Sequence, residues 1–305
     1  EIGRKLATRY IVEGRVRRAG NHVRITAQLI EASTGNHLWA ERYDRDLADL
    51  FTVQDEVVQA ISAAVPGQID RAAVAKIREK PPANLTAYDY ELRGRWAFLH
   101  LADGFSVALD WFKRAVAADP GYALAHAGLG MTYVFGILSL GLPPEEARRL
   151  GIQHARQAVI LDEDNCKVNA CAAFTYHIAG EHKLTRKHAE RAVALNPNDS
   201  FALYAMGCAL NYTGEPEKAI EWIMRSARLD PFAPDDHRLD ELCDCHYMLH
   251  DYAKLFEIRE TYQNVHALLH IVLAAALGQV GRYEEAQAAV REYERMKPKG
   301  HDLQT

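Results

Sequence analysis

The phrase Leu195-Asn-Pro197 closes an alanine-rich amphipathic run, and Leu229-Asp-Pro231 closes another such run 34 residues later. Ala118-Asp-Pro120 is a similar ending earlier in the chain, and Leu161-Asp-Glu163 has the same form without the proline. Because proline lacks an amide hydrogen and cannot continue a helix, these endings predict helices that stop at a regular interval. The regular interval indicates a repeat, and the repeat decides the fold class.

Glycines mark the middle of the interval. Gly180, Gly214 and Gly281 stand at matching positions, and helix-forming segments that begin near Pro216 and Tyr283 follow two of them. Glycine takes the left-handed conformation that ends many helices, so each glycine predicts a turn between two helices. The unit of the repeat is therefore a helix pair with a glycine turn inside it and a proline after it.

These features resemble the tetratricopeptide repeat, in which small residues stand where two helices cross, an aromatic residue follows the turn and proline follows the second helix. The resemblance covers six candidate units: Asp89 to Pro120, Gly121 to Asp162, a third ending at Pro197, a fourth ending at Pro231, a degenerate fifth from about Asp236, and a last ending at Pro298. In the second unit Gly128 is the predicted crossing residue, and a surplus loop spans residues 138–145. The resemblance implies a mainly α fold, with residues 85–305 forming a solenoid of about six helix pairs.

The first 80 residues follow a different pattern. Apolar and polar residues alternate over Tyr10–Arg17, over Val23–Ile30 and around His37–Arg42, which predicts three half-buried strands. Gly20-Asn21 supplies the turn of a β-hairpin between the first two strands. Helical spacing follows over residues 51–65 and 69–77, and the prolines at 81 and 82 mark a linker over residues 81–84. Residues 1–80 are thus a small α/β module.

This segment resembles the N-terminal α/β domain of TolB-like proteins over about residues 6–63, through the hairpin Tyr10–Ile30, the turn Ser33-Thr-Gly-Asn36 and the strand His37-Leu-Trp-Ala-Glu-Arg42. In bacterial multidomain proteins such a module stands between an output domain and a tetratricopeptide tail. The output domain there is a class III adenylate/guanylate cyclase or a DNA-binding winged helix. The resemblance implies a regulatory region of a bacterial signalling protein, with an adenylate cyclase as the first hypothesis and a winged-helix transcriptional regulator as the alternative. The module's opening strand and helix are missing and residue 1 is Glu, so we expect a truncated module cut from a longer protein.

Composition excludes several function classes. The chain carries 36 Lys and Arg against 41 Asp and Glu, a net charge of −5, which argues against a general nucleic-acid binder. Its longest apolar run, Ile271–Leu277, is far shorter than the ~20 residues of a membrane span. Five cysteines without a C-x-x-C pair favour a reducing compartment, and hence the cytoplasm. Phosphate-loop, dinucleotide-binding, zinc-protease and nucleophile-elbow motifs are absent, so neither a catalytic site nor a cofactor is predicted.

The family resemblance assigns the binding surface to the first helix of each pair, which lines the concave groove. The groove residues that it implies are Tyr90, Arg93, Tyr122, Tyr133, Phe174, His177, Phe201, Tyr204, Asn211, Tyr212 and Tyr247. Most are aromatic, and aromatic side chains offer a large contact area with a polar tip, as peptide-binding surfaces do. We therefore expect a protein or peptide ligand in the groove, with self-association left open. The alternative is that several of these side chains pack between repeats.

A cluster of cysteines and histidines near the fifth unit raises the question of a metal. Cys243, Cys245, His246 and His250 lie close in sequence, and His266 and His270 follow in the next unit. The two histidine pairs each have i, i+4 spacing and share a helix face. Four converging ligands would be needed for zinc, and this spacing matches no standard zinc motif. The prediction is that no metal is bound.

Overall fold

The computed structural model describes residues 8–46, six single positions between 58 and 72, and residues 86–100, 104–137, 140, 142–230, 236–261 and 267–296. The chain divides into two compact units, Glu1–Asn84 and Leu85–Thr305, and each is taken by itself. Most of the predicted helical residues at 51–65 and 69–77, and the whole predicted linker at 81–84, lie outside the described residues.

The first unit contains a three-stranded antiparallel sheet, with strands β1 (Tyr10–Ala19), β2 (His22–Glu31) and β3 (His37–Asp46) in the order β1-β2-β3. The hairpin between β1 and β2 turns at Gly20, which has a φ of +61°. Only glycine takes that conformation at little cost, which is why the turn lies there. The predicted hairpin and third strand are confirmed.

The sheet buries one side of its middle strand. Val23, Ala27 and Leu29 of β2 are at most 4% exposed, and they alternate with more exposed residues as a half-buried strand requires. Tyr43 of β3 joins Val23 and Ala27 in a small cluster, and Ile61, a single helical position, packs against it. The contact with Ile61 thus adds to the apolar burial on this face of the sheet.

Twelve helices are described in the second unit, and they form the six predicted pairs. In chain order they are α1 (Ala87–His100), α2 (Gly104–Ala118), α3 (Ala123–Phe135), α4 (Pro144–Leu161), α5 (Cys166–Ile178), α6 (His182–Leu195), α7 (Ser200–Asn211), α8 (Pro216–Leu229), α9 (Asp236–Met248), α10 (Tyr252–Glu260), α11 (Ala267–Gln279) and α12 (Tyr283–Met296). Each odd-numbered helix packs against the even-numbered helix that follows it. The predicted α-solenoid is confirmed.

Left-handed residues close the first helix in four of these pairs. Gly180, Gly214 and Gly281 have φ values of 77°, 85° and 76°, and His250 takes the same place in the fifth pair with a φ of 57°. The next amide then donates back to the helix in every case, as Glu215 N–H does to the Leu210 carbonyl at 2.9 Å. This bond satisfies a carbonyl that the helix end would leave without a partner. The same turn geometry thus recurs whether or not the residue is glycine.

Small residues let the two helices of a pair approach each other. A Cβ atom built on Gly207 would lie 2.5 Å from Cγ1 of Ile223, and one on Gly130 would lie 3.1 Å from the carbonyl oxygen of Gly151. The predicted crossing residue of the second pair, Gly128, is wrong. Gly128 instead faces the ring of Phe112 on α2, in the preceding pair. The second pair is therefore displaced by two residues from the predicted register.

Polar and aromatic contacts at equivalent places join the first helix of a pair to the second. His126 and His154 approach at 2.9 Å between their Nδ1 atoms, and Asn169 Oδ1 lies 3.0 Å from Nδ1 of His188. Tyr133 stacks on His154 with ring centroids 5.8 Å apart, and Tyr176 stacks on His188 at 5.4 Å. The repeated arrangement supports the displaced register, because Tyr133 and Tyr176 occupy matching positions in it.

Candidate functional site

The first helices of the pairs lie side by side and present a continuous surface. Each of α1, α3, α5, α7 and α9 contacts the next odd-numbered helix, while each even-numbered helix from α2 to α10 contacts the first helix of the following pair. We call the surface formed by the odd-numbered helices the first-helix face. The predicted groove residues all belong to these helices or, for Tyr122 and Tyr212, to the residues that flank them.

A row of aromatic rings runs between neighbouring first helices. Phe98 meets Phe135 edge to face at a centroid distance of 5.7 Å, and Phe135 lies 6.4 Å from Phe174. Phe174 in turn stacks on Phe201 at 4.7 Å and lies 5.1 Å from Tyr204. The row fills the space between helices, where Phe174 is only 4% exposed, and the other rings of the row stay partly exposed. The sequence interpretation missed Phe98 and Phe135, because the predicted register of the first two pairs put other residues on this face.

Three predicted groove residues lie inside their own helix pairs. Tyr90 stacks on Trp111 of α2 at 5.9 Å, and the guanidinium of Arg93 lies 4.9 Å from the centre of a ring of the same tryptophan. Tyr133 is 6% exposed against His154. These side chains join a first helix to its second helix, so we leave them out of the proposed binding surface. Tyr122 sits at the start of α3, where burial and the nearby Glu91 raise the pKa of its hydroxyl.

The remaining predicted residues lie on or directly beside α5, α7 and α9. Asn211 is 3% exposed, whereas Tyr212, directly after it, is 48% exposed. His177 of α5 meets the Tyr212 ring edge to face at 4.4 Å. Tyr204 donates from its hydroxyl to the His237 carbonyl at 2.8 Å, and Tyr247 lies 5.9 Å from Tyr252 of α10.

Carboxylates of α9 face this group. Asn211 donates from Nδ2 to the carboxylate of Glu241 at 2.9 Å, and the Tyr212 hydroxyl bonds to the carboxylate of Asp244. Glu241 is 6% exposed, and Asp244 is partly buried. We call Asn211, Tyr212, Glu241 and Asp244 the acidic cluster. Glu241 has no signal of its own in the sequence.

Burial dominates the electrostatics of the acidic cluster. It raises the pKa of the Asp244 carboxyl to about 8, helped by the neighbouring charges of Glu241 and Asp240. The pKa of Glu241 is also raised by burial, although Asn211 and the Cys208 thiol hydrogen-bond to its charged form. Burial lowers the pKa of His177 to about 4, with His182 adding to the shift. Asp244 and His177 are thus held in their neutral forms near pH 7.

The cysteine and histidine residues considered for a metal are spread over several contacts. Cys243 and Cys245 are fully buried in the helix pair, and His250 Nδ1 bonds to the Tyr252 hydroxyl at 2.8 Å. His246 lies 3.4 Å from the carboxylate of Asp251. His266 lies outside the described residues. Over the part of the chain that the structure describes, His, Cys, Asp and Glu side chains form no group of three that could hold a metal ion.

No helix within the described ranges is both long enough and apolar enough to cross a membrane. Residues 188–221, which run from α6 into α8, match the family model of the tetratricopeptide repeat. A curated relative from Rhizobium meliloti (strain 1021), named putative adenylate cyclase 3, is 42% identical over 132 residues. The match covers 43% of this chain and 22% of that protein, so the chain spans about a fifth of its relative.

Solved structures resemble the fold at low sequence identity. The Cut9-Hcn1 heterotetramer of APC/C matches 78% of this chain and 45% of its own chain, with a TM-score of 0.55 and 14% identity. The human IFIT1 dimer with m7Gppp-AAAA matches 70% and 51%, with a TM-score of 0.54 and 16% identity. A tetratricopeptide repeat protein from Parabacteroides merdae matches 82% and 93%, with a TM-score of 0.50 and 12% identity. Together with the twelve helices, the family model and these folds identify the second unit as a solenoid of tetratricopeptide-type helix pairs.

Proposed function

We propose that this chain is the regulatory, protein-binding region of a bacterial adenylate cyclase. The name of the Rhizobium meliloti relative supports a cyclase over the alternative, a winged-helix transcriptional regulator. The proposed region is not itself catalytic, and it contributes by binding a protein or peptide on its first-helix face. The residues 1–80 would form the TolB-like module that connects the solenoid to the cyclase domain, with residues 81–84 as the linker. We place the protein in the cytoplasm, where a cyclase meets ATP.

The observation that carries the binding proposal is the mixture of exposed apolar and buried polar groups where α7 meets α9. Tyr212, in the acidic cluster, is 48% exposed, and Met248, about one helical turn after Asp244 on α9, is 55% exposed. An amphipathic surface with a few fixed polar groups is what a peptide needs for both affinity and orientation. The second helices lack this combination at Ile160 and Tyr283, which are exposed singly on α4 and α12.

A selection from a random dodecapeptide phage library on the 305-residue chain tests the binding proposal. Peptides that are selected on the wild type should lose at least tenfold in affinity when Tyr212→Ser and Met248→Ser are combined. The matched control combines Tyr283→Ser and Ile160→Ser, which remove two exposed apolar side chains from second helices and should leave affinity within twofold. Equal losses in both variants, or no selected peptide at all, would refute binding on the first-helix face.

The cyclase proposal needs a separate measurement. The natural gene product that contains these residues should convert ATP to cyclic AMP, and deleting residues 85–305 should change its rate or its response to a partner. The isolated 305-residue chain should show no turnover above background. A gene product without cyclase activity, or turnover by the isolated chain, would contradict this part of the proposal.

A further inference from the structure

The acidic cluster lies on the first-helix face, and among the described residues neither Glu241 nor Asp244 forms an ion pair with Lys or Arg. Arg238, on the same helix, donates to the carbonyl of Asp230. His246 lies 3.4 Å from the carboxylate of Asp251. The carboxyl groups of Glu241, which is buried, and Asp244, which is partly buried, thus lie close together without a Lys or Arg partner in the described part of the chain.

A second, independent feature also lacks a partner. Asn211 is 97% buried, given its 3% exposure, and its Oδ1 atom has no hydrogen-bond partner, although Nδ2 of the same amide donates to Glu241. An unsatisfied buried acceptor costs about 1–3 kcal/mol. The Oδ1 atom is fixed next to the carboxylates, because its amide is held by Glu241. The cluster therefore offers an acceptor without a donor, beside carboxyl groups that a positive charge would draw into their ionised form.

A lysine ammonium supplies both. It carries a compact positive charge and three donors and accepts nothing, whereas an anionic ligand would meet only repulsion here. The ring of Tyr212 lies beside the cluster and is half exposed, so the methylene stem of a lysine can pack along it. A bare metal ion fits less well, because the described side chains form no group with metal-ligand geometry.

We propose that the acidic cluster of Asn211, Tyr212, Glu241 and Asp244 is a recognition site for a lysine side chain of the bound polypeptide. The inference rests on the proposed function, and it names the chemistry of the partner: a basic peptide whose lysine enters between α7 and α9. Binding displaces a proton from the cluster, because an ammonium favours the charged form of Asp244. The groups that face Asp244 are Glu241 and Asp240 on its own helix and Tyr212 at the end of α7.

Calorimetric titration of the 305-residue chain with N-acetyl octalysine amide tests the site. The affinity should fall at least tenfold when Glu241→Gln and Asp244→Asn are combined. It should stay within twofold for the matched control, Glu145→Gln with Glu146→Gln, which removes two carboxyl groups from the exposed start of α4. The single variant D244N, whose side chain has the same shape, serves if the double variant does not fold. Titration at pH 7 in two buffers of different ionisation enthalpy should show proton release for the wild type only.

Equal losses in the test and control variants would reduce the effect to overall charge and overturn the site. Octaglutamate that binds as tightly as octalysine, or binding without proton release, would overturn it too. The phage selection separates the two proposals. Selected peptides that need Tyr212 and Met248 but are indifferent to E241Q/D244N would leave the binding face standing and remove only the lysine site.

Discussion

Replacing Asp244 by asparagine should stabilise the chain relative to the wild type, and the difference in the free energy of unfolding should grow as the pH rises. The folded state holds a proton on Asp244 up to a pKa of about 8, while an aspartate in an unfolded chain has an ordinary value of 3.8. Between these two values Asp244 carries more protons in the folded than in the unfolded state, so its contribution to the free energy of unfolding falls as the pH rises. Asparagine keeps the neutral shape and removes this dependence.

The size of the effect follows from the pKa difference. One pH unit inside the window changes the free energy of unfolding by about 1.4 kcal/mol for one group. Between pH 5 and pH 8 the D244N variant should therefore gain about 4 kcal/mol relative to the wild type. This is an upper value because Glu241 interacts with Asp244 and the two titrate together.

Urea unfolding followed by circular dichroism at pH 5, 6, 7 and 8 measures this gain. Helical repeats unfold in parts, so the comparison is between variant and wild type at each pH with equal urea dependence. Glu145→Gln, on a side chain that is 85% exposed, is the control and should change stability by no more than about 0.5 kcal/mol at any pH. If D244N and the wild type keep a constant difference over this range, Asp244 is ionised in the folded state and the reasoning fails.

Three further predictions concern the repeats. Gly207→Ala should destabilise the chain by about 1–3 kcal/mol in urea unfolding, because the new Cβ would lie 2.5 Å from Ile223; an unchanged midpoint would mean that the helices separate freely. His250→Gly should raise stability by about 1 kcal/mol, since a left-handed residue other than glycine is strained, and a loss would show that the His250–Tyr252 bond matters more. As pH falls from 6.5 towards 4, the wild type should lose stability relative to a His154→Phe variant, because burial lowers the pKa of His154 to about 4 and the unfolded chain binds the proton first. Equal slopes for both proteins would contradict the burial of a neutral His154.

The repeat architecture could be predicted because its signals are local. A proline after a helix and a glycine in a turn act through the backbone of the residue itself, so Pro197 and Gly214 carry their meaning wherever they stand. The register of a pair depends instead on which residue faces which across the helices. Gly128 and Gly130 are equally small, and only their neighbours, Phe112 and Gly151, distinguish them. The predicted register failed where two small residues competed.

For the candidate site, too, the positions of residues could be predicted more readily than their contacts. Asn211 and Tyr212 could be placed on the first-helix face from the resemblance to the tetratricopeptide repeat. The chemistry around them could not be predicted, because the pKa of Asp244 depends on burial and on Glu241. Several of the predicted aromatic residues, such as Phe174, pack between helices. Aromatic side chains can fill a helix interface as well as bind a ligand.

The contacts that join first and second helices differ from pair to pair. Tyr90 meets Trp111, His126 meets His154 and Asn169 meets His188, each at the equivalent place. Because the helix pairs repeat one architecture, a chain has several near-equivalent ways to combine first and second helices. Unlike contacts remove that ambiguity, because a second helix exchanged between pairs would meet the wrong ring or leave a buried nitrogen without a partner. In these three pairs the contacts between first and second helices thus favour the observed order of the repeats, in addition to the connections between the helices.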